Sequence, residues 1–102
     1  MRQKRRYIVF GVSGAKISKG EVARAITNSL RGLQDLDTNV MRMIFFEASS
    51  GCGLLRCEHK QVAQVKAAVL KLKRIGGGNV AFRILGVSGT IRAAKRKFLP
   101  VL

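Results

Sequence analysis

The sequence predicts an α+β fold: a four-stranded antiparallel sheet with two helices on one face and a further helix at the C-terminal end. Three observations predict it. Apolar segments of period two and of helical period follow one another as strand, helix, strand, strand, helix, strand, helix. The first segment, Tyr7 to Val12, is apolar on both faces and so belongs inside a sheet, away from its edges. The two longer helical segments each carry an apolar stripe on one side only, as helices lying on a sheet must. A βαββαβ unit of this order is the split, ferredoxin-like or RRM-like arrangement, with its first and third strands central. The 102 residues read as a single domain, 1–102.

Residues 1–6 form a basic arm containing Arg2, Lys4, Arg5 and Arg6. The strand Tyr7 to Val12 follows and ends at Gly11-Val12-Ser13-Gly14. Ser18 to Leu33 is a helix, because Ser18 and Glu21 have the spacing of a capping box. Val22, Ile26, Leu30 and Leu33 form its apolar stripe, with Arg24 and Arg31 off it. Gly32 and the run to Asn39 end it, and Asp35 and Asp37 read as turn formers. Val40 to Ala48 is the second strand, Ser49-Ser50-Gly51 a turn, and Gly53 to Glu58 the hairpin partner. Lys60 to Arg74 is the second helix, with Val62, Val65, Val69 and Leu72 inward. Lys71, Lys73 and Arg74 crowd its last turn, where cations suit the helix dipole. Gly76-Gly77-Gly78 stops it; glycines that follow a helix instead of opening one do not make a phosphate loop. Asn79 to Val87 is the last strand. Residues 88–99 are a short basic helix. Ser88 is placed to cap it, Ile91, Ala94 and Phe98 share one face, and Pro100 discourages its continuation.

Strand alternation sends Met41, Met43, Phe45, Leu55, Cys57, Val80, Phe82 and Ile84 toward the two longer helices. It sends Arg42, Arg56 and Arg83 to the other face, with Ile44, Phe46, Leu54 and Leu85. A face that mixes apolar and cationic groups needs a cover. Either the C-terminal helix or a partner supplies it, so Arg42, Ile44, Phe46, Leu54, Arg83 and Leu85 form a candidate protein-partner face.

Charge narrows the function. Twenty Lys and Arg stand against five Asp and Glu, a formal net charge of +15. On so small a domain this self-repulsion is relieved best by a polyanion. Nucleic acid is the first such partner and an anionic membrane the second. No run approaches the ~18 apolar residues of a spanning helix, and MRQKRRYIVF lacks a signal-peptide core, so no membrane partner and an intracellular site are expected. Cys52 and Cys57 sit five apart, on opposite faces of a strand, and read as small hydrophobes without a mutual disulfide. With one His, the sequence falls short of the ligands of a zinc site, so no metal and no cofactor are expected.

The C-terminal segment couples an open helix N-terminus to Arg92, Lys95, Arg96 and Lys97, a combination suited to phosphates. RNA-binding domains of this topology usually stack bases on central-strand aromatics. Here GCGLLRCEH places Leu54, Leu55 and Cys57 where rings would be needed, which points to a grip on backbone and shape. No catalytic group assembles: the five acids are scattered, and Ser13 and Ser88 lie in G-V-S-G contexts. The enzyme alternative is an acylphosphatase-like domain, but its phosphate loop would be Gly11 to Lys16, which has no arginine. A ribosomal or other structural RNA-binding protein and a protein scaffold are the remaining alternatives.

RYIVF at 6–10, GLLRC at 53–57 and GVSGTIRAAKRKFL at 86–99 together resemble the Pop-five family, small RRM-like proteins of archaeal and eukaryotic ribonuclease P. The resemblance runs from Arg6 to Leu99, and the short length is similar to archaeal members. It implies a non-catalytic subunit of a ribonucleoprotein that removes the 5′ leader of precursor tRNA, with catalysis by the RNA and its Mg²⁺. It implies ribonuclease P RNA as direct partner and precursor tRNA as an indirect one. It further implies a thirty-kilodalton TIM-barrel-like protein subunit, self-association within a heterotetramer, and a cytoplasmic location, or nuclear in a eukaryote. Among matching positions, Tyr7, Leu55 and Phe98 read as core, and Arg56, Arg92 and the Gly89-Thr90 helix start as RNA contacts. Arg5, Arg6, Lys95, Arg96 and Lys97 complete the candidate RNA-binding set. Gly11-Val12 departs from the family, many of whose members carry an acidic residue and a longer loop there.

Overall fold

The computed structural model describes residues 5–14, 17–33, 41–47, 50–75 and 77–98, without the side chains of 30–33 and 98. Expectations for Arg2, Lys4, Lys16, Asp35, Asp37, Gly76, Leu99 and Pro100, and for the side chains of Leu30, Arg31, Leu33 and Phe98, lie outside the described residues. Strand β1 spans Arg5–Gly14, helix α1 Lys19–Leu33, β2 Arg42–Glu47 and β3 Cys52–Glu58. A 3₁₀ turn at His59–Gln61 leads into α2, Val62–Lys71. Then come β4, Arg74–Ile75, β5, Gly78–Ser88, and α3, Ile91–Phe98.

The strands form one antiparallel sheet in the order β2-β3-β1-β5-β4. β1 is central for the reason its composition dictates. Ile8, Val9 and Phe10 are each 0% exposed, so both faces of this strand need a layer above them. α1 and α2 cover one face. Ile8, Phe10, Leu55 and Cys57 from the sheet meet Val22 and Ile26 of α1 and Val65 and Val69 of α2 there. α3 covers part of the other, over Val9 and Leu54.

Local chemistry sets the helix starts. The Ser18 N–H donates to Glu21 Oε1 at 3.1 Å and the Glu21 N–H to Ser18 Oγ at 3.3 Å, the reciprocal box read from the sequence. α1 and α2 are tied together by Ser29, whose hydroxyl donates to the Ala68 carbonyl at 2.8 Å.

Three expectations are corrected. The second helix does not reach Arg74. Leu72 is extended, at φ −72 and ψ 124, and its N–H closes the helix by donating to Val69 O at 3.2 Å. Lys73 and Arg74 therefore lie beyond the helix end, and only Lys71 is in the last turn. The freed segment makes a fifth strand, β4, which pairs Arg74 with Asn79 and Ile75 with Gly78. Gly77, at φ +83, serves this hairpin instead of stopping a helix. The sheet thus has five described strands instead of four.

The third correction is a β-bulge in β2. Met43 pairs with Leu55 and Phe45 with Leu54, so Ile44 is an inserted residue and the alternation slips by one. Phe46 turns to the α1/α2 face and stacks on Phe10, with centroids 6.1 Å apart and ring planes 10° from parallel. Phe45 turns to the α3 face, beside Ile44. The other seven residues assigned to the helix-covered face do pack there. Gly53 makes the ring stack possible, because a Cβ at that position would collide with the Phe10 ring.

Candidate nucleic-acid interface

β5 feeds directly into α3, so the basic helix is held against the sheet by the strand before it. The residue that caps it is Thr90 and not Ser88. Thr90 Oγ1 accepts the Ala93 N–H at 3.1 Å, and Thr90 O accepts the Ala94 N–H at 3.0 Å. Ser88 remains in β5, paired across to Tyr7, because the sheet ladder holds its backbone. Ile91 and the fully buried Ala94 face Val9, Leu54 and Leu85. That orientation leaves Arg92, Lys95, Arg96 and Lys97 exposed. Lys95 leans back across the sheet, its Nζ 5.4 Å from the Phe45 ring centroid.

The sheet end beneath the start of α3 gathers further cations. Arg42 pairs with Arg56 across β2 and β3, and Arg56 pairs with Tyr7 across β3 and β1. With Ser88, which pairs with Tyr7, these residues form one row on the α3 face. Like charges directly opposite each other destabilise a sheet, and an anion laid over them removes that penalty. On the adjoining side of the chain, an Arg6 guanidinium nitrogen lies 4.0 Å from the point where a Gly89 Cβ would be, and donates to the Arg5 carbonyl at 3.0 Å. The fold therefore brings Arg5, Arg6, Arg56, Gly89 and Thr90 to the N-terminal end of α3. Arg92, Lys95, Arg96 and Lys97 continue from there along the helix.

The candidate partner face is placed differently. Phe46 leaves it, because of the bulge. Leu54 stays on that side but is 0% exposed under α3. Ile44 and Leu85 are half-buried in the same apolar cluster. Arg42 and Arg83 are exposed, Arg83 in register with Gly11, toward the opposite end from Arg56. The C-terminal helix is thus the cover for the middle of this face. Signals for these two missed placements are weak in the sequence. Phe45 and Phe46 are identical in type, so only the residue count across the hairpin separates them.

Neither cysteine is in a disulfide; Cys57 is buried and Cys52 half-buried. Burial pushes the Cys57 thiol up to about 11, and the neighbouring Glu58 carboxylate adds to this. It is held neutral and works as core. Among the described residues no three His, Cys, Asp or Glu groups come together as a metal site. No described helix is long and apolar enough to cross a membrane.

The sequence pattern of the Rpp14/Pop5 family matches residues 6–99. Ribonuclease P protein component 2 of Thermococcus kodakarensis is 40% identical over 103 aligned positions, covering 97% of this chain and 86% of that protein. The protein of the same name from Pyrococcus furiosus is 38% identical, with the same coverage of 97% and 86%. That from Methanosarcina acetivorans is 33% identical, covering 97% of this chain and 76% of its own. Among solved structures, a chain in the cryo-EM structure of yeast ribonuclease MRP superposes with a TM-score of 0.67. It is 11% identical and the match covers 88% of this chain and 77% of that one, a likeness of fold.

Proposed function

The chain belongs to the Rpp14/Pop5 family, and from that premise we propose that it is a protein subunit of ribonuclease P, acting within an RNA–protein complex. Its task is to support the catalytic RNA while that RNA removes the 5′ leader of precursor tRNA. The observation that carries this reading is the capped helix α3, presenting four exposed cations beside Arg6 and Arg56. Such a surface holds phosphates and reads shape, because cations and helix-end N–H groups recognise the backbone and leave base edges unread.

The protein's contribution is electrostatic. Folding a large RNA presses phosphates together, and fixed cations relieve that repulsion in place of diffusible ions. Mg²⁺ belongs to the RNA in this account. The thirty-kilodalton TIM-barrel-like subunit would seat on the α3 side, where Arg42 and Arg83 flank the half-buried Ile44 and Leu85. Self-association within a heterotetramer follows from the same family reading.

The test combines Arg92→Ala, Arg96→Ala and Lys97→Ala in one chain. With about five phosphates neutralised, log affinity for the cognate ribonuclease P RNA falls with log salt at a slope of about −4. In the triple variant the slope relaxes to about −2. Cleavage of precursor tRNA by the reconstituted complex then demands more Mg²⁺. Unchanged affinity and slope in a folded variant move the contact away from α3. Leader removal at normal rates without this subunit, at every Mg²⁺ concentration, refutes the function.

A further inference from the structure

On the other side of the sheet, α1 and the segment that leaves α2 for β4 enclose an open groove of about 600 Å³. Arg24 forms one wall, and Lys71, Lys73 and Arg74 form the other. All four are exposed. The one carboxylate at the groove, Glu21, is already committed to the Ser18 N–H at 3.1 Å. The floor is apolar and fixed: Ile75 is 7% exposed and anchors the strand to the core, with Leu72 packed against the same core.

This wall is built on backbone whose hydrogen bonds are made. The Val80 N–H donates to Lys73 O at 2.9 Å, and Arg74 Nε donates to Asn79 Oδ1 at 3.3 Å. The carbonyl ends of α2 would ordinarily present partial negative charge here. Ser29 satisfies one of them, its hydroxyl donating to Ala68 O, and the Leu72 N–H satisfies another at Val69. Glu21 keeps its negative charge, but Arg24, Lys71, Lys73 and Arg74 outnumber it four to one around the groove. No aromatic ring lines it, so bases have nothing to stack on.

We infer that this groove binds the phosphodiester backbone of a second RNA segment. The inference rests on the ribonuclease P reading and extends it. α1 and α2 cover the Ile8 and Phe10 side of the sheet, and α3 covers the Val9 and Leu54 side. Two basic surfaces thus lie on opposite sides of the sheet. A protein so arranged clamps two RNA strands on either side of itself, holding them at a set spacing.

The experiment uses the full chain with the cognate ribonuclease P RNA, comparing wild type with Arg24→Gln, Lys71→Gln, Lys73→Gln. The expected result is affinity weakened about 10- to 100-fold at 150 mM salt and a slope shallower by about two. Hydroxyl-radical footprinting should lose one protected segment, different from the one lost by the Arg92, Arg96 and Lys97 variant. A conservative set, Arg24→Lys, Lys71→Arg, Lys73→Arg, restores binding and excludes misfolding as the cause. Wild-type affinity, slope and footprint in the folded glutamine variant overturn the groove site alone. Loss of the same segment by both variants overturns the clamp. Undiminished RNA binding together with loss of another protein subunit reassigns the groove to an acidic protein. Should wild type itself fail to bind the RNA, the ribonuclease P reading falls, and this inference with it.

Discussion

Lys95 holds its ammonium nitrogen 5.4 Å from the centroid of the Phe45 ring, joining the basic helix to the edge strand β2. The contact exists because β2 bulges at Ile44, which brings Phe45 to the α3 side. Strand alternation sends the two adjacent phenylalanines to different cores, and the one inserted residue decides which ring enters which. Phe46 stacks in the α1/α2 core and Phe45 seats the end of α3.

These two phenylalanines should respond differently. Phe46→Ala removes a ring stacked on the fully buried Phe10 and should destabilise the domain by about 3 kcal/mol. Phe45→Ala loses a cation–π contact worth about 0.5–1 kcal/mol and some packing, so about 1–2 kcal/mol in all. Urea denaturation measures both. RNA affinity should fall more in the folded Phe45 variant than in the folded Phe46 variant, since only the former frees α3.

Thr90→Ala removes the side-chain cap of an eight-residue helix. The expected loss is about 1 kcal/mol, concentrated at the start of α3. Amide exchange should quicken at Ala93 with little change in α1. Thr90→Ser should keep most of the protection. Equal protection at Ala93 in the alanine variant would mean that the cap contributes nothing.

Gly51 lies at φ +72 in the β2–β3 turn, and a Cβ there would run into the Val12 carbonyl oxygen. Its own carbonyl accepts the Val12 N–H at 2.7 Å, so the turn cannot move aside without losing this bond. Gly51→Ala should therefore destabilise by about 2–4 kcal/mol. Gly77 has a similar φ of +83 but open space around it, and Gly77→Ala should lose only about 1 kcal/mol. Paired thermal melts test the difference.

The raised Cys57 thiol makes a pH prediction. Its folded-state value of about 11, against an ordinary 9.0, means the native state holds this proton more tightly than the unfolded chain. The associated stability is whole below pH 9 and is lost as pH climbs toward 11. Denaturation midpoints should fall through that window, and Cys57→Ala should flatten the fall. In the native protein at pH 8, a thiol reagent should modify the half-buried Cys52 and spare Cys57 until unfolding.

Much of this was legible from composition and spacing. The Ser18–Glu21 box, the two-faced apolar β1 and the Val65–Val69 stripe each depend on near neighbours along the chain, and each appears as read. The candidate RNA contacts of α3 were legible for the same reason, since helical spacing alone turns Ile91 and Ala94 inward. The bulge at Ile44 was not legible. Three successive apolar residues, Ile44-Phe45-Phe46, fit either register, and the choice is made by which ring fills the space over Gly53. Nor was the end of α2. Leu72 and Ile75 have helical spacing, and they leave the helix because Gly78 and Asn79 of β5 offer backbone pairing that solvent does not.

By itself the sequence determined the order of elements, the central place of the first strand, the surplus of cations and the basic face of the last helix. These rest on interactions within a few residues, or on charge that no folding can remove. Tertiary structure alone decided which phenylalanine meets which helix, that a fifth strand forms, and that Arg24 faces Lys71, Lys73 and Arg74 across one groove. Those residues are about fifty apart in sequence, and only packing against a shared core brings separated segments to one place.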